Sequence, residues 1–235
     1  MVDKELFVCC YPNRAIYGEA YSVNGMYDYD AADRCPRCGR IISGGKLQKP
    51  RIVELGGNKV ADIVYGYCFE APFAVSERFV ELYQASDLKG IKSFSPLDDV
   101  RFRRKAMKNA PKPTLYTVEL ERSCITVDHA NSLIVYGFRK CGEYCPLCNP
   151  FPKTRNFYKR ICMKMEGFEN YDIFWTHEQG GTTFMTSRFI DFCEKNRLTN
   201  LHYRPLSEYV SDNGWSNEVF EQERLASLIF EDEDA

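Results

Sequence analysis

Cys35-Pro36-Arg37-Cys38 is followed, at an offset of 110 residues, by Cys145-Pro146-Leu147-Cys148, and that offset superimposes other parts of the chain as well. Asp62-Ile63-Val64-Tyr65 falls on Asp172-Ile173-Phe174-Trp175, and Arg78-Phe79-Val80-Glu81-Leu82 on Arg188-Phe189-Ile190-Asp191-Phe192, without a gap. Leu88 falls on Leu198 and Ile91 on Leu201, and a one-residue slip sets Ser95-Pro96-Leu97 against Arg204-Pro205-Leu206. Few residues are identical. Those that match are metal-type cysteines, apolar positions and a shared proline, the types that packing and geometry restrict most. Order, spacing and type together point to an ancient internal duplication, and the period is too long for a solenoid. The expected architecture is therefore an α+β protein of two homologous lobes joined by a four-cysteine zinc site. Residues 1–100 would form the first lobe, 101–113 a basic linker, 114–210 the second lobe, and 211–235 a C-terminal extension with an acidic tail.

The bulk properties agree with an ordered, two-lobed protein. The 235 residues suffice for one large core or two modest ones. A hydrophobic share of 44% with 14% aromatics argues against disorder over most of the length. A net charge of -2 means that nucleic acid could be held only by a local basic surface. Two such concentrations exist: Arg101-Phe102-Arg103-Arg104-Lys105 with Lys108 and Lys112, and the run from Lys153 and Arg155 through Lys159-Arg160 to Lys164. The plainer reading of the first is a solvated linker ended by Pro111 and Pro113. No stretch has the roughly 18 consecutive apolar residues of a membrane helix. Met1-Val2-Asp3-Lys4-Glu5 lacks the layout of a secretory signal, so a cytoplasmic location is expected. Eleven cysteines, an odd count, then read as thiols and metal ligands and not as a disulfide framework.

Hydrophobic periodicity gives each half the same grammar. In the first, Leu6-Phe7-Val8, Arg51 to Leu55 and Val60 to Tyr65 read as strands. Ser76 stands where a helix N-cap belongs, Phe79, Leu82 and Tyr83 form the apolar stripe, and Ile91 to Phe94 is an exit strand stopped by Pro96. In the second, Thr114 to Leu120, Ser132 to Tyr136 and Ile173 to Trp175 read as strands. Gly180-Gly181 is a turn, Ser187 the expected cap, Phe189, Phe192 and Cys193 the buried stripe, and Leu201 to Tyr203 the exit strand. Ser216 would cap a last helix over Val219 to Leu228.

A CxxC pair puts two thiolates on one tight turn, so that both sulfurs reach an ion at about 2.3 Å, and zinc takes four such ligands tetrahedrally. Two knuckles complete one site, which assigns a single structural zinc to Cys35, Cys38, Cys145 and Cys148. Proline after the first cysteine of each pair and Gly39 after Cys38 suit the turn; Asn149 takes the glycine position in the second copy. A thioredoxin-like redox pair, an empty cluster of reduced cysteines, and a role for Cys141 in place of one ligand stay open. Cys9, Cys10, Cys68, Cys124, Cys162 and Cys193 have no ligand spacing and read as small buried hydrophobes.

Catalytic patterns are not found. His129, His177 and His202 sit in no HExxH or comparable frame, and GxSxG, Walker and Gly-x-Gly-x-x-Gly signatures are missing. The deaminase pattern would need a His/Cys-x-Glu partner that Asp33-Arg34-Cys35 lacks. Four thiolate ligands leave no coordination position for water. The reading is a non-enzyme.

The first Cys-Pro-x-Cys-Gly, the second Cys-x-x-Cys, and the later run of Asp172-Ile173-Phe174, Ser187-Arg188-Phe189, Leu198-Thr199-Asn200-Leu201 and Arg204-Pro205-Leu206 resemble the double-CxxCG proteins of bacterial toxin-immunity loci. Tyr171 to Glu208 also resembles the related immunity domain that lacks the knuckles. The second knuckle departs from the pattern, reading Cys-x-x-Cys-Asn. The resemblance implies a non-catalytic protein of the bacterial cytoplasm that binds and neutralises one cognate protein toxin; the partner-binding residues stay unknown, with Tyr17 to Tyr29 and the acidic tail as candidates. The alternative is a zinc-ribbon nucleic-acid binder gripping phosphates with segments 101–112 and 153–164 while Phe157 and Tyr158 stack on bases.

Overall fold

The computed structural model describes residues 5–10, 17, 19–23, 27–28, 34–41, 46–47, 49–66, 71, 73–128, 130–136, 145–148, 156–164, 166–176 and 182–209. In chain order the strands of the first half are β1 (Leu6–Cys9), β2 (Ala20–Ser22), β3 (Tyr27–Asp28), β4 (Lys46–Leu47), β5 (Ile52–Leu55), β6 (Ile63–Tyr65) and β7 (Phe73–Ser76). Helix α1 (Glu77–Gln84) leads to β8 (Ile91–Pro96), β9 (Asp99–Phe102) and β10 (Leu115–Leu120). Then come β11 (Leu133–Tyr136), β12 (Asn156–Arg160), β13 (Ile173–Phe174), β14 (Phe184–Thr186), α2 (Ser187–Lys195) and β15 (Tyr203–Pro205). The class is α+β, with two short helices set among small sheets.

Two four-stranded sheets have the same form: β6-β7-β10-β8 and β13-β14-β1-β15. In both, every pairing is antiparallel. β10 lies between β7 and β8, while β1, the first strand of the chain, lies between β14 and β15 near its end. Leu115 stands opposite Ser76 as Leu6 stands opposite Thr186, and Tyr116 opposite Pro96 as Phe7 opposite Pro205.

Strand alternation gives each sheet two buried faces. From β6 and β7, Ile63, Tyr65, Phe73 and Val75 enter a central core, while Val64 and Ala74 enter a second one with Val53, Leu55, Val100, Phe102 and Leu115. From β13 and β14, Ile173 and Met185 enter the same central core, while Phe174 and Phe184 point the other way, to Leu6, Val8, Ile125 and Ile161. Continuous apolar runs such as Phe73-Ala74-Val75 are what a sheet covered on both sides demands.

Both helices lie in the central core. α1 starts at Ser76, whose Oγ accepts the amide hydrogen bond of Phe79 at 3.2 Å, with Glu77 in the first turn. It buries Phe79, Val80 and Tyr83, and α2 buries Phe189, Ile190 and Cys193, while Leu82 and Phe192, expected in the buried stripes, are half-buried against the same core because Val80 and Ile190 take the inner positions. The expected Ser187 cap moves by one residue: Thr186 is the cap position of α2, and its hydroxyl goes to Asp172 instead of the helix amides. The Phe79 ring lies 6.4 Å from Phe189 and 6.2 Å from Phe192, so the helices meet through aromatic contacts. The exit strand expected at Leu201 to Tyr203 forms later, at β15. The expected helix beyond Ser216, Gly180-Gly181 and the acidic tail lie outside the described residues.

Candidate metal centre

Each CxxC pair lies between the strands of a two-stranded ribbon, the first between β3 and β4 and the second between β11 and β12. The first turn closes through the Gly39 amide to the Cys35 carbonyl at 2.9 Å and the Cys35 amide to the Arg40 carbonyl at 2.7 Å. Gly39 has φ of +72°, the left-handed conformation that the turn asks of it.

The ribbons bring all four sulfurs together. The Sγ atoms of Cys35, Cys38, Cys145 and Cys148 lie within 4.8 Å of one another. Cys35 and Cys145 approach to 3.8 Å and Cys38 and Cys148 to 3.5 Å. A sulfur tetrahedron with ligand bonds of about 2.3 Å has edges of about 3.8 Å, so the cluster has the dimensions that a tetrahedral metal needs. Cys35 and Cys145 are buried and Cys38 is exposed, which places the cluster at the surface with its inner half sealed.

The local backbone favours thiolates at the inner pair. The Cys148 amide holds the Cys145 thiol down at about 6 against some burial cost. At Cys35 burial opposes ionisation, but the amides of Cys38 and Arg37 outweigh it and lower the thiol below its ordinary value. Cys148 is pushed up, first by burial and then by the neighbouring thiols. A bound cation would offset the penalty that raises the Cys148 thiol. The four residues fit a metal ion.

The other cysteines divide. Cys193 is buried in the central core, and burial raises its thiol, as expected of a small hydrophobe. Burial also pushes Cys9 up to about 12. Cys124 is exposed and Cys10 and Cys162 are half-buried, so these three are not core residues. Cys68, Cys141, His129 and His177 lie outside the described residues. His202 is held by its amide to the Tyr65 hydroxyl at 2.8 Å and by its ring to Asn200, and burial lowers its ring pKa.

Two buried carboxylates, which in the sequence stand out only as matching positions of the 110-residue offset, organise the interior. Asp62 accepts from Ser76 Oγ at 2.9 Å, Arg78 at 3.1 Å, and the amide and hydroxyl of Thr199 at 3.0 and 2.9 Å. Asp172 accepts from Thr186 Oγ1 and Arg188 at 3.3 Å each and from the amide of Lys89 at 2.9 Å. The carboxylates and their donors again differ by 110: Lys89 with Thr199, Arg78 with Arg188. The loop after each helix is thus tied to the strand of the other half. The matching Asp and Arg positions carry a signal, but nothing local says that the partner comes from across the molecule.

Two matching four-stranded sheets around one helical core, with a four-thiol cluster able to hold a metal ion, define the class as a small α+β protein with a candidate metal centre. Among the described residues, no helix is long and apolar enough to cross a bilayer. The chain matches the Immunity protein family (Imm11) over residues 58–208, and it belongs to that family. The match begins beyond the first knuckle and spans Cys145 and Cys148. Membership implies a protein toxin as the partner. No curated protein matches the chain.

Proposed function

We propose that this chain is a non-catalytic immunity protein that binds and silences one cognate bacterial toxin in the cytoplasm, with one structural zinc on Cys35, Cys38, Cys145 and Cys148. Family membership carries the functional half of this reading. The metal half is supported by the spacing of the four sulfurs and by a closed ligand set that leaves no position for a reacting water. The recurrence of one strand order and one carboxylate network 110 residues apart supports descent by duplication, with the first strand of each copy lying in the sheet of the other.

Occlusion consumes one inhibitor per toxin. Co-expression with the toxin encoded by the adjacent open reading frame is expected to rescue growth only at near-equimolar levels. Rescue at strongly substoichiometric levels would mean an enzyme that reverses damage. Native mass spectrometry is expected to find one zinc per chain, and Cys35→Ser to lower that content at least tenfold.

A further inference from the structure

We propose that the outer face of the β2-β5-β9 sheet, with the basic turn that follows it, is the docking surface for an acidic face of the toxin; this deepens the immunity reading above and rests on it. The inner face of this sheet is spent on the core through Ala20, Val53, Leu55, Val100 and Phe102. The outer face carries Tyr21, Glu54 and Arg101, placed side by side by the strand register. Tyr21 and Val23, at the end of β2, are 43% and 41% exposed, large apolar side chains left in water on one edge of the sheet.

The adjoining segment is basic and fixed in place. Residues 101–112 hold six basic side chains and no acidic one, in a chain of net charge -2. Asp99 pairs with Arg101 at 3.0 Å and Lys112 at 2.6 Å. Among the described residues, Lys105 and Lys108 are exposed and no ion pair engages them. A solvated linker would leave such charges on mobile chain. Here the Arg103 amide bonds to the Leu55 carbonyl, Arg104 bonds to the Gly56 carbonyl at 2.9 Å and to Asn58 at 3.0 Å, and Met107 and Ala110 pack on the core. The Tyr21 ring is likewise held, by its hydroxyl on Glu19 at 3.1 Å and by the Arg103 guanidinium 5.4 Å above it.

A rigid tyrosine beside arginines is the side-chain set from which strong protein contacts are built, and prior ordering reduces the entropy lost on binding. The excess positive rim selects an acidic protein face and accelerates encounter with it. Nucleic acid, the other partner that a basic surface could take, fits less well: the sheet face itself mixes Glu54 and Asp99 among the cations, whereas a phosphate-tracking groove is uniformly positive.

The test measures binding of the purified, catalytically inactivated toxin domain encoded by the adjacent open reading frame. Lys105→Glu with Lys108→Glu is expected to weaken binding at least tenfold at low salt, mostly through slower association, and to flatten its salt dependence. Tyr21→Ala is expected to weaken it at least tenfold through faster dissociation. Lys195→Glu, exposed on α2, should leave affinity within twofold, and zinc content and melting temperature report that each variant is folded. Wild-type affinity in both folded patch variants would overturn the surface while leaving the immunity reading standing. A wild-type chain that binds no such toxin overturns both. Salt-sensitive binding of single-stranded DNA or RNA that the double lysine variant abolishes, with toxin binding unaltered, would assign the surface to nucleic acid and overturn the proposal.

Discussion

At the scale of single residues, Gly90 and Asp62 carry the tightest constraints. Gly90 has φ of +115°, and a Cβ there would run into the backbone carbonyl of Ile173 in β13. Gly39 also has positive φ, but space around it is open. Gly90→Ala is therefore expected to destabilise by more than about 2 kcal/mol, since backbone has to move, and Gly39→Ala by only about 1 kcal/mol of conformational strain. Urea denaturation of the two variants checks the order. For Asp62, burial works against ionisation, but the Thr199 amide, the Ser76 and Thr199 hydroxyls and Arg78 hold its carboxyl below the ordinary value of 3.8. A depressed folded value means stability that is complete above the unfolded value and lost as pH falls through the folded one. Asp62→Asn should cost about 1.5–3 kcal/mol at neutral pH. The gap between wild type and variant should close as pH falls below about 4, the ordinary carboxylate value, and a gap constant down to about pH 2 would remove the carboxylate from the account.

At the scale of elements, the unusual member is β1. Leu6–Cys9 is only four residues long, yet it supplies the neighbour to both β14 and β15, and Leu6 and Val8 enter the core behind that sheet. Deleting residues 1–10 is expected to abolish the cooperative unfolding transition or yield insoluble protein, because β15 loses its partner and β14 loses one of its two, exposing an edge on each. A truncated chain with the wild-type transition would contradict the pairing. Both helices are legible in the sequence, as are β1, β5, β6, β8, β10, β11 and β13, while the strands β2, β3, β4, β7, β9, β12 and β14 carry no signal that the sequence reading found. Ser76 with the Phe79 and Tyr83 stripe is a local signal, and the run at Val60 to Tyr65 marks β6 by composition. The cap of α2 falls one residue before the expected Ser187, and Thr186 spends its hydroxyl on Asp172, a tertiary preference that no sequence window contains.

At the scale of the whole molecule, the expectation of two lobes held together by zinc meets a core that both halves share. One central core draws Ile63, Phe73, Phe79 and Tyr83 from the first half and Val118, Ile173, Trp175, Met185 and Phe189 from the second. The cross-tied carboxylates and the placement of β1 and β10 add to it. Chelation should accordingly lower the melting temperature and loosen the two ribbons, while the near-ultraviolet signal of the central aromatics persists. Complete unfolding on chelation would show that the four sulfurs, and not the shared core, hold the halves together. A contribution smaller than the roughly 10–16 kcal/mol of apparent zinc binding in peptides that fold only with metal is expected, because the three hydrophobic cores that hold the sheets and helices do not include the four cysteines.

Residue type, short spacing and period are enough to establish the four cysteines, the turn glycine beside them, the apolar character of one face of each helix and the kinship with an immunity family. The folded arrangement adds that β1 completes a sheet made from the far end of the chain, that Thr199 and Lys89 reach across to Asp62 and Asp172, and that the basic segment after β9 lies fixed against a core. Contacts between distant residues depend on the closure of long loops and on the fit of whole faces, and neither is written in any local stretch of chain.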